Sequence, residues 1–181
     1  MIIELCLAGE SHHFRRLVER YQRGIVSLSY RMLGNRAEAE EMAQQSFVDA
    51  FTALRDYNPE YRFSSWLYRI TINNCKDHLK SKKRTEQSLD AEVTAEKAVF
   101  AAGLPDPEQA LSAREAESAV ASALARLPLK YRTVLVLKDM EDLSYEEIRV
   151  VLKLPVTTLK IRVVRARKML KDLLSQTESQ P

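Results

Sequence analysis

The sequence predicts an all-α protein: two small helical domains, residues 1–84 and 108–176, joined by a flexible acidic linker, residues 85–107. Three observations predict it. Apolar residues recur at steps of three and four on both sides of a central stretch that shows no sustained period. Residues 143–174, LSYEEIRVVLKLPVTTLKIRVVRARKMLKDLL, carry the signals of two helices joined by a tight turn. Charge is sorted into blocks along the chain rather than mixed.

The stretch 143–174 is the most informative. Ser144 can cap a helix, and Glu147 three residues on completes a capping-box pattern. Ile148, Val151 and Leu152 then form one inward stripe. Lys153-Leu154-Pro155 interrupts it, because Pro155 disfavours a helical Leu154 and suits the first turn of a new helix. That second helix runs from about Pro155 to Leu174, with Leu159, Val163, Ala166 and Leu170 facing inward. Its other faces carry Lys160, Arg162, Arg165, Arg167, Lys168 and Lys171; with Lys153, residues 153–171 hold seven cations and no acid. A cationic helix entered through a short turn from another helix is the geometry of helix-turn-helix DNA binding. The competing reading is a solvated basic helix on a small bundle. The cap, the proline-set turn and the missing acids weigh against it.

The whole chain has 181 residues, a net charge of +3 and a pI near 8.8, values that say little about partners. The distribution says more. Residues 36–56 set five acids against Arg36 and Arg55, net −3. Residues 62–84 set seven cations against Asp77 alone, net +6. Residues 85–120 return to net −6, so two basic blocks, 62–84 and 153–171, flank an acidic span. Two separate patches for a polyanion are the expectation. Cys6 and Cys75 suggest no disulfide framework, and Cys6 with His12 and His13 matches no common zinc spacing, so no metal or cofactor is expected. No cationic leader and no membrane-length apolar run is present. The expectation is a soluble cytoplasmic protein without membrane insertion.

A first long helix is expected over about His12–Leu33, with Phe14, Leu17, Val18, Tyr21, Ile25, Leu28 and Met32 on one face and Gly34-Asn35 as its stop. A second, about Arg36–Leu54, buries Ala39, Met42, Ala43, Phe47, Ala50, Phe51 and Leu54. Its opposite face shows Glu38, Glu41, Gln44, Gln45 and Asp49 without balancing lysines, which suits a basic partner surface. Asp56–Glu60 reads as a turn, and Ser64 is the expected cap of a third helix ending near Lys83. There Tyr57, Tyr61, Phe63, Trp66 and Tyr68 interleave with Arg62 and Arg69. Rings that stack on bases beside cations that track phosphates are what single-stranded nucleic acid requires. Phe63, Trp66 and Leu67 also suit a core, and Trp66 can serve both ends.

Three segments, FRRLVERYQRGIVSLSYRML, AEAEEMAQQSFVDAF and FSSWLYRITINNCKDHLKSKKR, resemble the first domain of small bacterial sigma factors. LPLKYRTVLVLKDMEDLSYEEIRVVLKLPVTTLKIRVVRARKML is similar to their second domain. The likeness covers roughly residues 5–84 and 108–174 and is nearest the extracytoplasmic-function type, which keeps only these two domains. The resemblance implies a non-catalytic subunit that gives core RNA polymerase its promoter specificity. It implies that Glu38, Glu41, Gln44 and Phe47 dock on the β′ clamp helices, and that the second domain meets the β flap. It implies a minus-ten, melted-strand site made by the loop 56–62 and by Tyr57, Arg62, Phe63, Trp66, Arg69, Asn73, Lys76 and Lys80, with Asn73 lining a base pocket. It implies duplex reading of the minus-thirty-five element. There Lys160, Ile161, Val164 and Arg165 stand at base-facing positions, and Thr158, Arg162, Arg167 and Lys168 at phosphate or packing positions.

Many relatives have an anti-sigma partner. The chain departs from the usual pattern where Lys153 and Thr157 replace glycines and Ile161 replaces a serine. A non-glycine in a left-handed turn costs roughly 1–2 kcal/mol, so Lys153 is expected to force a different turn. The acidic linker reads equally as a solubilising spacer or as a segment threaded through polymerase channels. A dimeric helix-turn-helix regulator would leave the block 57–84 unexplained. An enzyme finds no support, since no Walker loop, HExxH or GxSxG motif occurs.

Overall fold

The computed structural model describes residues 2–88 and 120–178, and among these the chain forms helices and turns without a strand. A short helix α1 (Ile2–Leu7) and a 3-10 turn (Ser11–His13) lead into α2 (Phe14–Leu33). α2 stops at Gly34, whose φ of 75° is left-handed and whose N–H donates to the Tyr30 carbonyl at 2.7 Å. Only glycine adopts this conformation freely. The next residue, Asn35, accepts the Glu38 N–H on its side chain at 3.1 Å and so opens α3 (Arg36–Thr52). Two residues thus end one helix and begin the next.

After a 3-10 turn (Leu54–Asp56), α4 spans Phe63–Ser88. Ser64 does not cap it: the Ser65 and Trp66 amides already bond the Arg62 carbonyl, at 3.0 and 3.2 Å, which places Ser64 inside the first turn. α4 also continues past Lys83, so the first residues of the expected linker are helical. The rest of that linker, 89–107, lies outside the described residues. Helices α2–α4 enclose a core of Phe14, Leu17, Ile25, Ala43, Phe47, Ala50, Leu54, Phe63 and Leu67. Phe51, expected inside, is 45% exposed and meets Phe14 edge-on at 5.1 Å between ring centroids. Phe47, Ala50 and Leu54 fill the direct line to the core, which leaves Phe51 on the margin of the stripe.

The second half comprises α5 (120–126), α6 (Leu129–Leu135), a π-helical turn (Val136–Met140), α7 (Tyr145–Leu152) and α8 (Val156–Glu178). The capping box of α7 is complete: Ser144 Oγ accepts the Glu147 N–H at 3.2 Å, and the Glu147 carboxylate accepts the Ser144 N–H at 2.9 Å. Those bonds to Ser144 hold the Glu147 carboxyl below its usual range. Lys153 does not force a different turn. It adopts the left-handed conformation itself, φ 54° and ψ 42°, and its N–H closes on the Arg149 carbonyl at 2.8 Å. The turn is kept and the strain is borne by the lysine backbone.

The two halves share a second core. Leu28, Met32 and Leu33 of α2 and Ile72 and Cys75 of α4 belong to one buried cluster with Leu124, Leu127, Val134–Leu137, Ile148, Leu159 and Val163. Buried polar bonds cross the same boundary. Arg132, 7% exposed, donates to the Met32 carbonyl at 2.5 Å, to the Leu127 carbonyl at 3.2 Å and to the Ala125 carbonyl. The π turn, closed by the Glu141 N–H on the Val136 carbonyl at 3.0 Å, carries Glu141 back toward the first half. Its carboxylate accepts from Arg31 at 2.6 Å and from the Tyr68 hydroxyl at 3.1 Å.

Replacing Arg132 by methionine removes the donors of three carbonyls, two of them in buried bonds. It should lower folding stability by about 3 kcal/mol, seen as a shift in the denaturant midpoint. Lys153→Gly should act in the opposite direction. Relief of the left-handed strain, less the extra freedom of an unfolded glycine, should raise stability by about 1 kcal/mol in the same measurement.

Candidate nucleic-acid interface

Three surfaces collect the residues of interest. The first is the outer side of α3. Glu41 and Gln44 are exposed there, with Val48 at 57% and Phe51 at 45% exposure one and two turns on. Glu38 and Phe47 lie elsewhere. Glu38 turns to α4, where His78 and Lys82 reach its carboxylate at 3.1 and 2.7 Å. Burial opposes ionisation of that carboxyl, and its contacts with Lys82 and His78 outweigh it, so its pKa is lowered. Phe47 is 8% exposed and fills the core. Val48 escaped the sequence reading. Its signal was a valine standing off the apolar register, in line with Glu41 and Gln44.

The second surface is the loop before α4 together with one side of α4. Tyr57, Phe63 and Trp66 form a ring cluster with centroids 5.4–5.6 Å apart, and Tyr21 joins it on Phe63 at 5.6 Å. Phe63 is buried at its centre, while Trp66 is half-buried. The loop is braced internally: the Tyr57 hydroxyl donates to the Tyr61 carbonyl at 2.5 Å, and the Glu60 N–H donates to the Asn58 side chain at 2.9 Å. Trp66, Arg69, Asn73, Lys76 and Lys80 follow one another at steps of three and four, so they share a side of the helix. Asn73 is exposed but does not line the cleft described next. The Lys76 ammonium is half-buried, and burial, with the nearby Lys80 and Arg162, lowers its pKa.

A cleft of about 570 Å³ separates this loop from the helix-turn-helix. Asn58, Tyr61, Trp66 and Arg69 line one wall; Arg149, Lys153 and Pro155 line the other. At its edge Arg62 reaches the Glu147 carboxylate at 3.0 Å. The melted-strand loop therefore faces the turn between α7 and α8 across one cleft, an arrangement that nothing local in the sequence records.

The third surface is α8. Leu159, Val163 and Ala166 are buried, and the opposite side presents Ile161 and Val164, 54% and 66% exposed, with Lys160, Arg165 and Lys168. Lys160 rests 5.8 Å from the centre of the Tyr145 ring. Arg162 and Thr158 are half-buried toward the flank of the helix. Arg167 is engaged: it forks onto Asp139 of the π turn at 2.8 and 2.5 Å and ties α8 to that turn. Before α2 a turn brings ligand atoms of Glu10, His12 and His13 within 4.8 Å of one another; Cys6 is not among them.

Comparison with known proteins agrees with this geometry. The Sigma-70 region 2 family matches residues 17–85, and the Sigma-70 region 4 family matches residues 117–170. The chain is 36% identical to the RNA polymerase sigma-H factor of Pseudomonas aeruginosa, over 96% of this chain and 92% of that protein. It is 38% identical to the ECF RNA polymerase sigma factor SigW of Bacillus subtilis, over 92% and 91%. Among solved structures, CnrH bound to the cytosolic domain of CnrY superposes with a TM-score of 0.70 at 24% identity, covering 97% of this chain and 96% of that one. The sigma factor RpoE of Bartonella quintana, bound to the anti-sigma factor NepR, superposes at 0.73 with 20% identity, over 90% and 96%; both likenesses speak to the fold. Two helical domains in this order, each matched by its own family and aligned over nearly the whole chain, place the protein among the extracytoplasmic-function sigma factors, the non-catalytic subunits that direct RNA polymerase to promoters.

Proposed function

We propose that this sigma factor meets the polymerase on α3 and promoter DNA at two further places, with residues 1–84 and 108–176 as the working domains. The outer side of α3, Glu41, Gln44, Val48 and Phe51, docks on the β′ clamp helices, its apolar pair giving area and its acid giving charge complementarity. The loop 56–62 with Trp66, Arg69, Asn73, Lys76 and Lys80 holds the melted minus-ten strand. Extruding a base costs a few kcal/mol, and stacking on an exposed ring returns roughly 1–3 kcal/mol per base. Lys160, Arg165 and Lys168 carry α8 into the duplex of the minus-thirty-five element, neutralising phosphates. The observation that carries this reading is α8 itself: one side packed on Leu159, Val163 and Ala166, the other side cationic, exposed and free of acid through Lys171.

The shared core adds a step. Elements centred about 25 base pairs apart lie roughly 85 Å apart on B-form DNA, whereas α4 and α8 pack into one buried core here. The arrangement is therefore the DNA-free state, and the halves separate on the promoter. The 31 residues from 89 to 119 reach about 105 Å when fully extended, enough for that span. Lys76, Lys80 and Arg162, like charges drawn together in the closed form, favour release onto a polyanion. RpoE is bound to the anti-sigma factor NepR in its structure, which supports an anti-sigma partner for this chain as well. The site of action is the cytoplasm.

Reconstitution with core polymerase on a promoter library tests the reading: transcription from a defined subset of templates is expected, and uniform or absent transcription would overturn it. Glu41→Lys combined with Gln44→Ala should weaken core binding at least tenfold with an unchanged melting curve. Arg165→Ala should weaken binding to upstream duplex, by about 1–3 kcal/mol at one base pair if Arg165 meets a base edge, or evenly with a salt slope lower by roughly one if it meets a phosphate. Asn73→Ala should leave duplex affinity unchanged and alter preference at one position of a pre-melted template.

A further inference from the structure

Ile161 and Val164 are the unexplained residues of α8. Among the described residues of the second half they are the large apolar side chains left most exposed, at 54% and 66%. At 100° per residue they lie on the side of the helix away from Leu159, Val163 and Ala166, so no repacking of the core covers them. Their neighbours around the helix are Lys160, Arg165 and Lys168. An apolar tip framed by cations fits a surface that is anionic at its edges and offers an apolar group at its centre. The major groove of duplex DNA is such a surface: phosphates line it, and thymine's 5-methyl is the one apolar group displayed on its floor. A guanine, adenine or cytosine edge would instead meet side chains that cannot hydrogen-bond.

We propose that Ile161 and Val164 read thymine 5-methyl groups in the upstream element, an inference that rests on α8 entering that duplex. Spaced three residues apart, the two side chains stand about 4.5 Å apart along the helix axis. One base step is about 3.4 Å, so they address thymines in neighbouring base pairs. Both side chains are β-branched, and a helix holds such chains in one preferred χ1 rotamer, so little freedom is lost on contact. The upstream sequence preferred by this factor therefore contains a thymine pair.

The test uses the full chain with core polymerase. Selection on a randomised upstream element should return two neighbouring base pairs that contain thymine. Each thymine is then replaced by deoxyuridine, which removes the methyl and keeps every hydrogen-bonding atom. Affinity should fall about fourfold per methyl, the ratio expected for burying one methyl-sized group. The Ile161→Ser and Val164→Ser chain, changed only at exposed positions, should bind thymine and deoxyuridine templates alike. Equal affinity of the native factor for the two templates overturns the proposal, as does a methyl effect that survives in the double-serine chain. Selection that returns no upstream preference would overturn the placement of α8 in DNA as well, so the two failures are distinct.

Discussion

A guanidinium inside an apolar core must find acceptors, and that requirement governs how this molecule is assembled. Buried Arg132 places its two terminal nitrogens on three carbonyls, one of them at the end of α2 in the other half of the chain, and leaves its Nε without a partner. Burial pushes its pKa down, although a guanidinium still keeps its charge at any physiological pH. The bond to Met32 therefore fixes where α6 sits against α2. The π turn that follows then delivers Glu141 to Arg31 and Tyr68, and the apolar residues of both halves close around these contacts. Separating the halves requires water to replace these partners and to wet the shared cluster. The closed form is thus stabilised by a few polar bonds and one apolar seam.

Much of the fold is local in origin and could be read from local signals. The Gly34-Asn35 junction, the Ser144–Glu147 cap and the apolar stripes of α2 and α8 each depend on residues within a turn or two of one another. The shared core was not legible for a corresponding reason. A stripe records that Leu28 and Met32 are buried, yet it does not say whether α3 or the second half buries them. Phe47 and Phe51 show the same limit at finer scale, since a shift of a few tens of degrees around α3 decides which ring is core and which is surface. Charged residues hide their partners equally well. Glu38 belongs to an acidic helix face by composition, but it is held by His78 and Lys82, forty and more positions away. Arg167 looks like any other cation of α8 until Asp139 is seen across the turn.

α8 meets two demands with one helix. Its inner side is held by packing and by the Arg167 fork, so its direction is set before any DNA arrives. Preorganisation of this kind confines the losses on binding to side chains at the contact itself. The turn before it is equally firm, because Lys153 accepts a strained backbone rather than relaxing the angle between α7 and α8.

Cys75 gives the shared core a chemical clock. Its thiol is sealed in the cluster, with burial raising its pKa to about 11, and in that state it is neither accessible nor appreciably ionised. Thiol reagents require a thiolate that they can reach. When the halves part, one wall of the cluster leaves with α5–α8 and the sulfur regains water. The rate at which this single atom is alkylated therefore measures how often the two halves separate.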